Sequence, residues 1–481
     1  MDFLNKVVGA GNTLLWSYVL IYMLIGLGLY FTVRTKFVQF RLFGEMFRLL
    51  TEGASKSVTN KESKGVSSFQ AFCISTASRV GTGNLAGVAI AISIGGPGAV
   101  FWMWVIALIG AGSSFVESTL AQIYKVKDQD SYRGGPAYYM EKALNMRWMG
   151  ILFSILITLC FGLVFNAAQS NTISLAFEQA FGLQRWMVGL GLMILTAVII
   201  FGGVKRIAKV AEAIVPVMAI AYVLVAAFVL IKNAAQIPSL LALIFSSAFG
   251  VKAAVGGAAG IAMKQALMQG IKRGLFSNEA GMGSAPNAAA TAEVTHPVKQ
   301  GLIQTLGVFT DTLLICSATA FVVILSGAYT NGDLTGIQLT QTALSSQVGP
   351  WANTFIAVCI LLFAFSSIIG NYYYGESNIE FMSGSKTWLL IYRVAVSLMV
   401  LWGSISSIQI VWDMADLFMG MMAVTNLIAI AMLGKIAFAA LKDYVDQKKA
   451  GKDPVFYVDN IPGLKNVECW EERKKAKLEK A

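Results

Sequence analysis

The chain has 481 residues, of which 56% are hydrophobic and only 13% charged, with a formal charge of +11 and a mean hydropathy of +0.66. Apolar runs near the ~20 residues that cross a bilayer recur along almost the whole length, which leaves no room for a separate soluble domain. The positive charge does not point to nucleic acid, because the basic residues fall in the loops between apolar runs and in the tail, where the positive-inside rule puts them.

The pattern predicts an all-α polytopic membrane protein of about eleven spans. Their expected limits are 14–33, 68–94, 98–124, 148–176, 186–203, 213–231, 250–271, 301–327, 352–374, 387–405 and 409–434. The first run, Leu14 to Val33, is too long for a signal-peptide core and lacks a small-residue cleavage pattern, so it is expected to stay as a helix. Lys and Arg cluster after the first span (Arg34, Lys36, Arg41, Arg48, Lys56, Lys61, Lys64), after the third (Lys125, Lys127, Arg133, Lys142, Arg147) and after the fifth (Lys205, Arg206, Lys209). The tail from Lys435 is Lys-rich, whereas 327–350 has no Lys or Arg. This asymmetry predicts a multi-pass cell-membrane protein with its N-terminus outside and its C-terminus in the cytoplasm.

Two hydrophobic segments are interrupted by glycine, Ser78–Gly87 and Gly256–Gly260. Each opens a set of five spans. Five is odd, so the second set is inverted relative to the first, as in inverted-repeat transporters whose site lies at broken helices near the midplane. The expected division is 1–66 (an extra N-terminal helix and basic loop), 67–232 (first repeat), 233–434 (inverted second repeat) and 435–481 (basic cytoplasmic tail).

In Arg79-Val80-Gly81-Thr82-Gly83-Asn84, breaking the helix frees N–H and C=O groups that need polar partners. N–H groups opening the second half-helix suit a substrate carboxylate, and carbonyls closing the first suit Na⁺. Close helix packing accounts for the glycines, but not for Arg79, Thr82 and Asn84. The second break contributes Gly257 and Gly260, followed by Lys264 and Gln265; Gly257, Gly260 and Gln265 are its candidate substrate contacts. Phe363-Ala364-Phe365-Ser366-Ser367 offers a hydroxyl pair, either bonded back to its own helix or turned to a cation. Ser277 to Pro286 reads as a polar, glycine-rich cytoplasmic turn, either a gate hinge or a structured loop, and His296 of the same loop is more often a neutral solvent-facing residue than a proton carrier. Glu117 and Asp311 lie within spans and are functional candidates or structural partners of Arg79. Cys73, Cys160, Cys316 and Cys359 read as small buried hydrophobes, and one His with no CxxC builds no metal site.

Gly95-Gly96-Pro97-Gly98-Ala99-Val100-Phe101-Trp102-Met103-Trp104 with Gly110, Arg79–Gly87, Arg273–Gly281 and Tyr372-Tyr373-Tyr374-Gly375-Glu376 resemble the alanine or glycine:cation symporter family over nearly the whole chain. The resemblance implies a LeuT-type fold with one extra N-terminal helix and Na⁺-coupled (in some members H⁺-coupled) uptake of small neutral amino acids such as alanine and glycine. It implies that the N–H groups of Thr82 and Gly83 hold the substrate carboxylate. It also implies that the Ala77, Val80 and Phe363 carbonyls and the Ser366 and Ser367 hydroxyls hold Na⁺. Asn84 is the best candidate for a second cation site. Alanine-selective members carry Trp where this chain has Asn371, and the smaller, polar amide suggests a longer substrate such as glutamine. An ion channel and a membrane-embedded enzyme are the rival readings. The first does not require two equivalent breaks, and the second lacks a convergent nucleophile or metal set.

Overall fold

The computed structural model describes residues 2–59, 66–128, 131–201, 203–250 and 259–471. Helices dominate because apolar runs in this chain are long, and their ends carry recognisable stops. Helix α1 (Lys6–Arg34) is followed by an amphipathic helix α2 (Phe43–Thr59). Ser67 and Gln70 then form a reciprocal capping box that starts α3 (Ser68–Arg79). Next come α4 (Gly83–Gly95) and α5 (Gly98–Ile123), separated by Gly96 at φ +70° and Pro97. A short antiparallel hairpin of β1 (Val126–Asp128) and β2 (Ser131–Arg133) is the departure from an all-α fold among the described residues.

Helices α6 (Arg147–Phe181), α7 (Arg185–Ile200) and α8 (Gly203–Lys232) follow, α6 ending on left-handed Gly182. Helix α9 (Ile237–Ala248) leaves α8 at a bend of 77°. The second half holds α10 (Ala259–Asn278), α11 (Ala285–Thr291), α12 (Pro297–Ser326), α13 (Gly336–Val348), α14 (Trp351–Met382), α15 (Lys386–Ile405) and α16 (Ile408–Lys449).

Among the described residues, α1, α5, α6, α12, α14, α15 and α16 are long and apolar enough to cross a membrane. They match seven of the expected spans. The expected span at 68–94 is the broken pair α3 and α4. The expected span at 250–271 is described from Ala259 onward, where α10 runs on to Asn278, carrying polar residues past the point where hydropathy ends a span. Residues 251–258, with Gly256 and Gly257, lie outside the described residues.

Small residues let the helices approach closely, the usual glue between helices that gain nothing from hydrophobic burial against lipid. On α10, a Cβ at Gly274 would stand 2.7 Å from Ile106 Cγ2 of α5. Residues 452–470 fold back over one end of the bundle, the tail face. There Phe456 N donates to Thr295 O (2.9 Å), Lys299 pairs with Asp453 (2.9 Å) and Trp470 Nε1 donates to Gln122 O (3.0 Å). His296 is buried in this contact, not solvent-facing: its ring caps α12 by accepting from Val298 N, and it meets Asp443 at 3.1 Å.

Candidate functional site between two interrupted helices

Two interruptions face each other at the centre of the bundle. The first lies between α3 and α4, where Val80 leaves the helical region (φ −81°, ψ 92°). Its freed groups find side-chain partners. Gly81 N donates to Asn84 Oδ1 (2.9 Å) and Thr82 N to Gln169 Oε1 of α6 (2.9 Å). Ser367 Oγ of α14 contacts three carbonyls, Ala77 O (2.8 Å), Phe363 O (3.1 Å) and Val80 O (3.4 Å), and Ser366 Oγ donates to Phe363 O (2.8 Å). The expected set of Ala77, Val80, Phe363, Ser366 and Ser367 is thus brought together as one cluster of uncharged oxygens. A Cβ at Gly81 would collide with Ser367 Oγ, so only glycine admits this contact between α3 and α14.

The second interruption runs from Glu279 to Ser284, between α10 and α11. Glu279 (φ +58°), Gly281 (φ +85°) and Gly283 (φ +88°) take left-handed backbone conformations. Residues 277–286, expected as a cytoplasmic turn, are buried, and among the described residues this is the interruption that meets the first; 256–258 lie outside them. A Cβ at Gly83 would lie 3.0 Å from Phe276 Cδ1 and 3.2 Å from Ser277 Cα, which shows how close the two breaks come. Gly260 is exposed with no described neighbour close to it, Lys264 is exposed, and Gln265 O lies against Gly95 at the far end of α4. Those residues are therefore away from the breaks. The signal that marks the true pair is a shared pattern: Gly81-Thr82-Gly83-Asn84 is echoed by Gly281-Met282-Gly283-Ser284.

Glu117 of α5 explains how the second break survives in a buried interior. Its two carboxylate oxygens accept from Gly281 N (3.0 Å) and Gly283 N (3.1 Å), and Asn426 Nδ2 donates both to Glu117 Oε2 (2.8 Å) and to Gly281 O (2.9 Å). Glu117 is a backbone acceptor, not an ion-pair partner of Arg79. Glu279 accepts from Ser284 Oγ (2.6 Å) and from Ser78 Oγ of α3 (2.7 Å). Asp311, in a wide π-type turn of α12, accepts from Asn84 Nδ2 (2.7 Å), Ser277 Oγ (2.7 Å) and Thr312 Oγ1 (3.1 Å), fastening both breaks to α12. Arg79 is buried and donates to Gln304 Oε1 (3.2 Å).

Asn371 lies one turn from Ser367 towards the tail face. Ser78 Oγ meets its Oδ1 (2.7 Å), and its Nδ2 donates to Asn166 Oδ1 (3.1 Å). It belongs to the polar ring of Ser78, Asn166 and Glu279 rather than to any bond with Thr82 or Gly83. On the opposite side of the breaks an aromatic stack closes the centre: Phe165 on Phe276 (4.4 Å between centroids) and Phe276 on Trp412 (4.7 Å). Above it Arg273 lies over Trp412 (4.6 Å) and pairs with Asp416 (2.8 Å), which Lys272 also reaches (3.3 Å). Thr82, Gly83 and Asn84 are fully buried beneath this cover. Gln169, Glu279 and the aromatic stack were not singled out from the sequence, because polar and aromatic residues inside spans look alike whether they line a site or pack.

A family model described as "Sodium:alanine symporter family" matches residues 1–458. The chain is 60% identical to the "Probable sodium/glutamine symporter GlnT" of Bacillus subtilis over 98% of this chain and 96% of that protein. It is 58% identical to the "Amino-acid carrier protein AlsT" of the same organism, over 98% and 99%. It is 36% identical to the "Sodium/alanine symporter AgcS" of Methanococcus maripaludis, over 93% and 99%.

Proposed function

The chain belongs to the sodium:alanine symporter family, a family of transporters and not of enzymes, and we propose that it imports a small neutral amino acid together with Na⁺ by alternating access. The observation that carries this reading is the oxygen cluster at the first break. Hard, uncharged carbonyl and hydroxyl oxygens from Ala77, Val80, Phe363, Ser366 and Ser367 suit an alkali cation. An ion held there ties α3 to α14, so its release would free α3 to move. The amino acid sits beside it, its carboxylate on the N–H groups of Thr82 and Gly83, where the start of α4 is positive. Thr82 N–H already donates to the neutral amide oxygen of Gln169, and a carboxylate is the stronger acceptor.

In this reading α3 to α8 form the first five-span set of a LeuT-type fold and α10 to α16 the inverted second, with α1 additional. The pairing of the α3/α4 break with the α10/α11 break supports it, as each opens its set. The tail face is cytoplasmic, on the strength of the Lys and Arg around it, and the Arg273–Asp416 pair lies on the outer side. One charge crossing with the membrane potential gains ~2.3 kcal/mol per 100 mV, which supports roughly 50-fold accumulation.

Asn371, in a ring of polar groups, favours a substrate longer than alanine, and the 60% identical relative is named for glutamine. Counterflow in proteoliposomes tests the whole reading with glycine, alanine, serine, asparagine and glutamine as competitors, with Na⁺ and with choline at fixed pH. Glutamine is expected to compete well, and Asn371→Trp to shift preference to alanine and glycine. Uptake indifferent to Na⁺ but driven by a pH gradient would replace Na⁺ coupling with H⁺ coupling. Flux without saturation would indicate a channel.

A further inference from the structure

Helix α1 stands outside the paired sets, yet it reaches the outer cover of the site. Trp16 is completely buried, and its Nε1 donates to the main-chain carbonyl of Asp416 (3.2 Å). Asn12 Nδ2 donates to Asp413 O, one turn earlier on α16 (2.9 Å). Glycines permit the approach on both helices. A Cβ at Gly11 would lie 2.7 Å from Leu417 Cδ1, and one at Gly420 would lie 3.6 Å from Trp16 Nε1. The Trp16 ring also receives Lys272 Nζ of α10 at 5.3 Å from its centroid, and Lys272 reaches the Asp416 carboxylate. Trp16 therefore touches both sides of the Arg273–Asp416 closure: the main chain of the residue that accepts, and the neighbour of the residue that donates.

We propose that α1 is a working part of the outer gate, with Trp16 the positioning residue that holds Asp416 where Arg273 and Lys272 can close on it. The proposal rests on the symporter reading above. Separating α10 from α16 breaks the Arg273–Asp416 pair, the Lys272–Asp416 contact and the Lys272–Trp16 contact together, so α1 adds its grip to the closed state. Trp16 holds Asp416 whether the gate is open or closed, so removing the indole N–H weakens closure through a less well placed Asp416, by at most the worth of one hydrogen bond, up to about tenfold in the open-to-closed ratio. Opening then costs less before substrate arrives, so apparent affinity from outside improves by up to the same factor. Closing over the bound substrate becomes harder, so maximal uptake falls.

The test uses Trp16→Phe, which keeps the ring and removes the donor, with Asn12→Ala as a second variant at the other end of the contact. Na⁺-driven uptake in proteoliposomes reports the half-saturating external amino acid and the maximal rate. Spin labels at Met263→Cys and Gln409→Cys, with Cys469→Ser, report the separation of the outer ends of α10 and α16. Both constants are expected to fall together, roughly threefold or more for Trp16→Phe, with a longer label separation gaining population in the absence of substrate. A merely structural role lowers only the maximal rate, in proportion to folded protein. Unchanged half-saturation and an unchanged separation in a folded variant would overturn the proposal. Should Trp16→Phe fail to fold, Asn12→Ala decides by the same two readouts. Should the parent transport no amino acid, the symporter reading fails while the label separation still tests the gate.

Discussion

The two helix interruptions face each other and share a Gly-x-Gly-polar pattern, yet they are held by different chemistry. At the first, the freed N–H groups go to the neutral amides of Asn84 and Gln169, and the carbonyls to hydroxyls. At the second, two freed N–H groups go to a single buried carboxylate, Glu117. Both oxygens of Glu117 face donors, three in all, the acceptor-only pattern of a carboxylate, and a hydrogen bond to an ionised acceptor is roughly twice as strong as one between neutral groups. The first break is therefore the exchangeable one, whose partners a carboxylate or a cation can displace. The second is the fixed one, and its left-handed residues serve as a frame against which the first is read.

The largest effect should come from wedging the two apart. Gly83→Leu drives a side chain into Phe276 and Ser277, which stand 3.0 and 3.2 Å from the position of its Cβ. Uptake and binding are expected to be lost, with a monodisperse protein still recovered in detergent. Normal affinity in a folded Gly83→Leu variant would remove Gly83 from the site. Next in size is Glu117→Gln. An amide presents one acceptor and one donor to two N–H groups, leaving a buried donor facing a donor. That should cost about 3 kcal/mol of stability and most of the transport. The corresponding change at the first break, Gln169→Leu, should leave stability less affected. Equal losses of melting temperature in the two variants would erase the distinction between a fixed and an exchangeable break.

Much of this pair was legible in the sequence, and the part that was not has a definite cause. The first break sits within an expected span, so Gly81-Thr82-Gly83-Asn84 stands out against Ala71 to Ile74 before it and Val88 to Ile92 after it. The second sits where the run has ended, among Ser277, Asn278 and Glu279, and hydropathy cannot separate a buried polar segment from a loop. Glycines at 256–260 offered a more conspicuous interruption, of which the described Gly260 is exposed and away from the first break. Ser366 and Ser367 could be paired with Ala77 and Val80 only through the resemblance to a family, since nothing local brings α14 to α3. His296 carried no sequence signal of burial, because its cover comes from the tail, far along the chain.

The oxygen cluster proposed for the cation should give a smaller, graded effect confined to the first break. Ser367→Ala removes the hydroxyl that meets the Ala77, Val80 and Phe363 carbonyls but leaves the carbonyls in place. The Na⁺ needed for half-maximal uptake should rise about tenfold, as one lost ligand is worth about 1.4 kcal/mol, with the maximal rate largely kept. Na⁺ titrations of uptake at saturating amino acid measure it. An unchanged Na⁺ requirement would separate Ser367 from the coupling ion and leave its three contacts as packing.

The smallest effect belongs to the tail face, beyond the second break. His296 caps α12, and burial pushes its pKa below the usual value while Asp443, 3.1 Å away, pulls in the other direction. The neutral ring fits its surroundings, because Nδ1 accepts from Val298 N and the proton on Nε2 is free to go to Asp443. Lys299, paired with Asp453, also faces this contact and disfavours a second positive charge. A base whose folded pKa is depressed binds more protons unfolded than folded, so stability rises with pH between the two values. Its contribution is therefore complete above about pH 6.5 and declines as the pH falls below that. Melting of the parent should drop slightly from pH 7.5 to 5.5, with hydrogen exchange rising first at Thr295 to Lys299 and at Phe456. His296→Gln should flatten that slope while leaving the Na⁺ requirement of the first break untouched. A slope that survives in His296→Gln would assign the acid sensitivity to other groups, and a changed Na⁺ requirement would mean that the tail face and the exchangeable break are coupled.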